Sequence, residues 1–356
     1  MLLPSVLLHD HLDGGLRPQT VLELARKHGY EYLPAPDLAG LEAWFDQSES
    51  GSLERYLEAF DHTIAVMQTY DAIERVAYEA VIDLSGDGVV YAELRFCPAQ
   101  HTSMGLRPIE VIEAVSAGMK RGAVETGLEW GLIIDSLRHL HRADDLAKLA
   151  VSARHLRVVG FDIAGPEAGF PPRDHRAGFN YASRNGLGIT IHAGEAGGRR
   201  GVANMASAVD DCHAQRIGHG VEIINDCEVD SGEIVALGPV ARRIRDRFIP
   251  LEMCPASNMA TSRLEPDAHP FGPLFRAGFN VTLSTDNRLM SHTSMSREYE
   301  FAIKHARLTE ADLIEVARRS LAASFTTSEL RAQIWAEGIA PGFRAAGLPV
   351  RSDWVR

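Results

Sequence analysis

The chain has 356 residues, 45% hydrophobic and 24% charged, a balance that supports a large folded core and excludes a disordered chain. Its formal net charge of −12 repels phosphate backbones and anionic lipid surfaces, so neither nucleic acid nor a membrane is an expected partner. No stretch reaches the roughly 20 uninterrupted apolar residues of a membrane span, and the first residues lack the basic start of a signal peptide. Cys97, Cys212, Cys227 and Cys254 are widely scattered, so a cytoplasmic protein with reduced, mostly buried thiols is expected.

Eight short runs rich in β-branched or large apolar residues succeed one another: Ser5–Leu12, Val89–Phe96, Glu129–Leu137, Arg157–Ile163, Gly188–His192, Arg216–His219, Ile249–Cys254 and Asn280–Thr285. Most lead through a turn into a helical pattern. Strands and helices alternating in this way predict the α/β class and a closed (β/α)8 TIM barrel. The stretch 13–88 is far longer than one crossover helix requires. It holds Trp44, Phe45, Tyr56, Phe60 and Met67 among helix-like segments, so a helical insertion after the first strand, capping the barrel mouth, is expected. Packing on the barrel flank is its plainer alternative. After the last strand, Leu308–Arg319 and Ser320–Gln333 pattern as amphipathic helices, and the tail from Pro341 has no clear period. No repeat or linker divides the chain, so 1–356 reads as a single domain.

The first strand ends in His9-Asp10-His11. Side chains alternate faces along a strand, so His9 and His11 point one way and Asp10 the other. Three further strand ends carry matching groups: His192-Ala193-Gly194-Glu195, Gly218-His219-Gly220 and Ser284-Thr285-Asp286-Asn287. In a closed barrel the first and eighth strands are neighbours, as are the fifth and sixth, and catalytic groups gather at the C-terminal ends. Three imidazoles and a carboxylate there suit Zn2+ and leave a coordination position for water. Histidines that merely pack are the alternative, and the repeated strand-end position weighs against it.

On these residues, together with Leu12-Asp13-Gly14, Tyr91-Ala92-Glu93-Leu94-Arg95, Gly160-Phe161-Asp162-Ile163-Ala164-Gly165, Arg216-Ile217 and Cys254-Pro255, the sequence resembles the adenosine deaminase family of metal-dependent amidohydrolases. The resemblance covers nearly the whole chain and is nearest to the bacterial members. It implies one Zn2+ per chain, bound by His9, His11, His192 and Asp286. It further implies that Glu195 donates a proton to the purine ring, that His219 orients the attacking hydroxide, and that Asp13 meets a ribose hydroxyl. The Gly165 amide would meet the ring N3, and His11 and Asn287 would complete the substrate contacts.

Each residue type makes chemical sense in its implied role. Zn2+ brings the pKa of water from about 16 to about 7, and Asp286 beside it could take the proton. Attack at C6 breaks ring aromaticity, and protonation of N1 by Glu195 avoids building negative charge there. Glu195 must then be protonated when substrate binds, which a closed, partly apolar pocket favours; a solvated acid on a glycine turn is the alternative.

Asn287 departs from the commonest family pattern, which has a second aspartate after the metal-binding one. An asparagine amide donates to N7 at any ordinary pH, whereas a carboxyl must be protonated to do so. Arg199 and Arg200 lie in the loop after the fifth strand, either as surface charge or as an anion-binding edge for a 5′-substituted adenosine such as aminodeoxyfutalosine. Within the family, adenine deaminases usually carry glutamate where this chain has Asp13, so the resemblance implies a nucleoside ahead of free adenine. The few residues before the first strand set the chain apart from the AMP deaminases. A nucleoside-binding protein without catalysis is the remaining reading, against which stands the full set of acid, ligands and histidines.

Overall fold

The apolar runs fold as eight strands because each is short, rich in Val, Ile and Leu, and bounded by turns that start a helix. In the computed structural model, which describes residues 2–351 apart from 196 and 263, these are β1 (Ser5–His11), β2 (Val89–Phe96), β3 (Glu129–Leu137), β4 (Val158–Ala164), β5 (Gly188–Ala193), β6 (Arg216–His219), β7 (Leu251–Met253) and β8 (Val281–Leu283). They pair in parallel in this order. The ring closes at the seam between β8 and β1, where Asp286 N–H donates to His9 O at 2.9 Å and His11 N–H donates to Asp286 O at 2.7 Å. All eight predicted strands are present. The last two are shorter than their apolar runs, because residues such as Cys254 and Ser284 are buried but lie beyond the paired stretch.

Five helices occupy the stretch between β1 and β2: α1 (Pro18–His28), α2 (Leu38–Phe45), α3 (Leu53–Leu57), α4 (Phe60–Val66) and α5 (Tyr70–Gly86). Asp37, Ser52 and Thr69 start α2, α3 and α5 by accepting a backbone N–H, the usual service of an N-cap oxygen. The fifth packs on the flank against α6 (Pro108–Thr126), so it is the ordinary crossover helix. The third touches the helix Pro255–Ser262 after β7, and the fourth touches the turns after β1 and β2, which places both over the C-terminal ends of the strands.

After β8 the expected break between two helices at Arg319 falls later. Thr309 forms a reciprocal cap with Asp312 and starts a helix over Glu310–Ala323, and Thr327 caps a second over Ser328–Ile334. Side-chain caps, not the apolar period, set these boundaries. A wider π turn (Trp335–Ile339) and a short helix (Ala340–Ala345) follow; of the tail left without assignment, 352–356 lie outside the described residues.

One element was not anticipated. An antiparallel hairpin, Cys227–Asp230 with Glu233–Leu237, stands between β6 and β7, turning at Ser231-Gly232, both at positive φ. No helix among the described residues is long and apolar enough to cross a membrane. Cys97, Cys212 and Cys254 are buried free thiols, and Cys227 is half-buried.

Candidate active site

Four strand ends converge at the barrel mouth. His11 Nε2 lies 3.2 Å from His192 Nε2, and Asp286 Oδ1 lies 3.3 Å from His9 Nε2 and 3.4 Å from His11 Nε2. One ligand-type atom from each of His9, His11, His192 and Asp286 falls within 4.8 Å of all the others. A second such group, sharing Asp286, joins Glu195 and His219.

The opposite ring nitrogen of each histidine faces a buried carboxylate. His9 Nδ1 donates to Glu252 at 2.9 Å, His192 Nδ1 donates to Asp162 at 2.8 Å, and His11 Nδ1 lies 3.4 Å from Asp135. This fixes the tautomers so that the Nε2 lone pairs meet at the centre, the arrangement that metal-binding histidines adopt. His9 Nε2 is buried without a hydrogen-bond partner among the described residues. The donor set therefore fits a divalent cation of the zinc type.

Two buried arginines hold Glu252, Asp162 and the neighbouring Glu93. Arg95 donates to Asp162 at 2.6 Å and to Glu252 at 2.8 Å, and Arg216 donates to Glu252 at 2.5 Å and to Glu93 at 2.6 Å. Burial alone would raise the Glu252 carboxyl, but Arg216 and Arg95 outweigh it and hold it well below the usual carboxylate range. Breaking such a buried pair by removing one partner typically costs about 3–5 kcal/mol, because it strands the other charge.

Burial pushes His11 down to about 3, and pushes His192 and His219 well below the ordinary imidazole value. These rings are neutral and available as ligands or directional hydrogen-bond partners. Burial would also raise Asp286, but the imidazoles of His9, His219 and His11 around it hold it well below the usual range. Glu195 moves the opposite way: burial, then the charges of Asp286 and Glu167, raise its carboxyl well above the ordinary value. Two carboxyls on the same floor are thus pushed in opposite directions, a pairing typical of acid–base sites.

Local backbone accounts for how these groups are aimed. His219 and Asp286 both sit in the left-handed region, at φ 62° and 59°, a strain of about 1–3 kcal/mol each that persists only where the surroundings enforce it. The two seam hydrogen bonds enforce it at Asp286. Glu195 is presented by a turn at Gly194, where φ is 72° and a Cβ would come within 2.7 Å of Met205. Glu167 fastens that turn by accepting from the N–H groups of Gly194 at 2.8 Å and Glu195 at 3.1 Å.

Above this floor lies a cleft of about 170 Å³. Leu53, Tyr56, Leu57, Phe60 and Ile64 of α3 and α4 form its apolar wall. His11, Asp13, Gly165, His192, Glu195, His219, Asp286 and Asn287 line it as the sequence pattern anticipates, with His9 fully buried below. Asp13 Oδ1 is buried without a partner among the described residues, while its Oδ2 lies 3.4 Å from His101 Nε2. Asn287 packs its Oδ1 against Gly14, where a Cβ would stand 2.1 Å away. Cys97 also lines the cleft, but burial pushes its thiol up to about 12 and denies it a nucleophilic thiolate.

Comparison with known proteins bears on this geometry. The family model described as Adenosine deaminase matches residues 4–340. Adenosine deaminase 1 of Streptomyces coelicolor is 46% identical over 359 residues, spanning 99% of this chain and 89% of that protein. The adenosine deaminase of Mycobacterium leprae is 47% identical over 347 residues, spanning 96% and 95%. The chain belongs to the adenosine deaminase family. Among solved structures it superposes on an arabidopsis N6-mAMP deaminase with a TM-score of 0.78 at 28% identity, covering 93% of this chain and 96% of that one. It also shares the fold of an adenine deaminase from Arthrobacter aurescens, with a TM-score of 0.84 at 24% identity and coverage of 97% and 99%.

Within this family member, several site residues escaped the sequence reading: Asp135, Glu252, Glu167, Asn258 and the roles of Arg95, Asp162 and Arg216. A usable signal was present for some. Glu93 and Arg95 occupy alternate positions of an otherwise apolar strand, which is the pattern of charges turned into a barrel interior. Arg199 and Arg200, by contrast, are exposed at the start of the helix Arg199–Cys212 and take no part in lining the cleft.

Proposed function

We propose that this chain is a zinc-dependent deaminase of adenosine, and of 2′-deoxyadenosine, yielding inosine or deoxyinosine and ammonia. The observation that carries the reading is the shared floor on which three Nε2 atoms and Asp286 meet Glu195, whose carboxyl burial raises, and His219, whose imidazole burial lowers. His9, His11, His192 and Asp286 would hold the ion, with α3 and α4 as a cap and the whole chain as a single unit. Bound there, Zn2+ would lower the pKa of a water to about 7. Asp286, kept ionised, takes the proton of the attacking water, and His219 donates a hydrogen bond to its oxygen. Glu195 gives its proton to N1, so that no negative charge accumulates on the ring as the C6–O bond forms. The C6–N bond then breaks as the amino group takes back the proton held by Asp286 and leaves as ammonia, while the C6 hydroxyl gives up its proton to become the carbonyl and restore Glu195. Asp13, with one oxygen unpaired, accepts from a sugar hydroxyl, and the Gly165 N–H meets N3.

The direct test is the absorbance change when metal-analysed protein meets adenosine, deoxyadenosine, adenine and 5′-substituted adenosines in turn. Adenosine and deoxyadenosine should be turned over fastest. A protein that holds metal and leaves both nucleosides unchanged would overturn the reading.

Asn287 gives a sharper prediction about the ring. If its amide donates to N7, wild type should handle 7-deazaadenosine more slowly than adenosine by roughly five- to 150-fold, the equivalent of about 1–3 kcal/mol for an unpaired buried donor. Asn287→Ala should erase much of that preference by slowing adenosine. Equal rates for the two nucleosides with wild type would move the N7 contact to another residue.

A further inference from the structure

His219 faces the cleft through Nε2, which lies 3.7 Å from Glu195 Oε2. Whether that nitrogen carries a proton decides whether the ring donates to an attacking oxygen or accepts from it. A line of buried hydrogen bonds behind the ring settles the choice, starting from a group that can only donate.

The backbone N–H of Phe271 points at His269 Nδ1, 3.2 Å away. That nitrogen must accept, so in the neutral ring the proton lies on Nε2. Burial pushes His269 down to about 3, which keeps it neutral. His269 Nε2 therefore donates to Asn258 Oδ1 at 3.4 Å. A second obligatory donor, the backbone N–H of Cys254, reaches the same Oδ1 at 3.3 Å. Turning the amide over would set its NH2 group against two N–H donors at once. The amide nitrogen must face the other way, toward His219 Nδ1 at 3.1 Å. His219 Nδ1 then accepts, and the single proton of the neutral ring lies on Nε2.

We propose that Asn258 and His269 are positioning residues that fix the tautomer of His219, so that its Nε2–H is aimed at the attacking oxygen and the ring cannot serve as the base. The proton of the attacking water then passes to Asp286. All three members of the line are buried, with His219 1%, Asn258 0% and His269 3% exposed, so water cannot take over the role of Asn258. The kinetic consequence rests on the deaminase reading, whereas the tautomer itself does not.

The test is nitrogen-15 NMR of the histidine rings, in metal-free and zinc-loaded protein, for wild type and Asn258→Asp. This change is nearly isosteric, and its carboxylate still accepts from Cys254 and His269. Toward His219, however, it accepts where the amide donated, so the proton should move from Nε2 to Nδ1. Turnover of adenosine by the zinc-loaded variant should fall about 10²-fold or more with KM within a few-fold; a wrong tautomer in a serine-protease triad lowers kcat about 10⁴-fold. Asn258→Ser, whose hydroxyl can donate or accept, should show both tautomers and an intermediate rate. A wild-type proton on Nδ1 would overturn the proposal. So would an Asn258→Asp protein that loses turnover with its proton still on Nε2, since charge alone would then explain the loss. If wild type showed the Nε2–H tautomer yet left adenosine untouched, the deaminase reading would fail while the tautomer assignment stood.

Discussion

Glu195→Gln should lower turnover of adenosine by about 10²–10⁴-fold, the usual worth of a positioned general acid, while metal content and substrate affinity stay near wild type. Glutamine keeps the shape and a donor N–H but has no proton to release to N1. Its neighbours explain why the native side chain can release one: burial, Asp286 and Glu167 all penalise the carboxylate, so the acid form persists above its ordinary range. The sign of the pH dependence follows. A raised carboxyl is protonated on the acid side and empties as pH climbs through its shifted value, so kcat should decline on the alkaline side. In the glutamine variant that alkaline limb should be missing. Turnover reduced less than tenfold would require another source for the proton.

His192→Ala should remove metal and activity together. The ring supplies one of the four converging ligand atoms, and its Nδ1 is tied to Asp162, which holds Nε2 toward the other three. Loss of an ion worth several kcal/mol to the transition state corresponds to about 10³-fold or more in rate. Metal analysis of the purified variant, alongside its rate with adenosine, checks both halves. Full metal content with normal turnover would dismiss His192 as a ligand.

The strands and the reactive groups were legible because both are local signals. A β-branched run bounded by a turn announces a strand, and a histidine or acid at or just past its C-terminal end announces the barrel mouth. His9, His11, His192, Glu195, His219 and Asp286 all announce themselves in this way. Their supports do not. Glu252 lies 243 positions from the His9 it orients, and nothing in the neighbourhood of either residue names the other. Asn258 and His269 sit on a helix and a loop after β7, where they look like any polar residues until folding stacks them behind His219. The helical segments over the mouth were legible as helices, yet only their contacts separate α3 and α4 at the cleft from α5 on the flank. The Ser231-Gly232 hairpin was missed because both its strands are short and mostly exposed, leaving little apolar pattern to read.

The closure of the ring at Asp10 and Asp286 also has a meaning in time. Asp10 and Thr285, hydrogen-bonded across the seam, are separated by 275 positions. At a synthesis rate of about 5–20 residues per second, β1 waits roughly 14–55 s for the segment that completes its pairing. Until then its edge is open and His9 and His11 have no Asp286 beside them. The cluster of His9, His11, His192 and Asp286 therefore cannot form before that pairing, and any binding energy an ion contributed there would favour shutting the barrel. A nascent chain that stalls before Asp286 carries three imidazoles and an unpaired strand, and the chemistry of the site begins only when the two ends of the sheet have met.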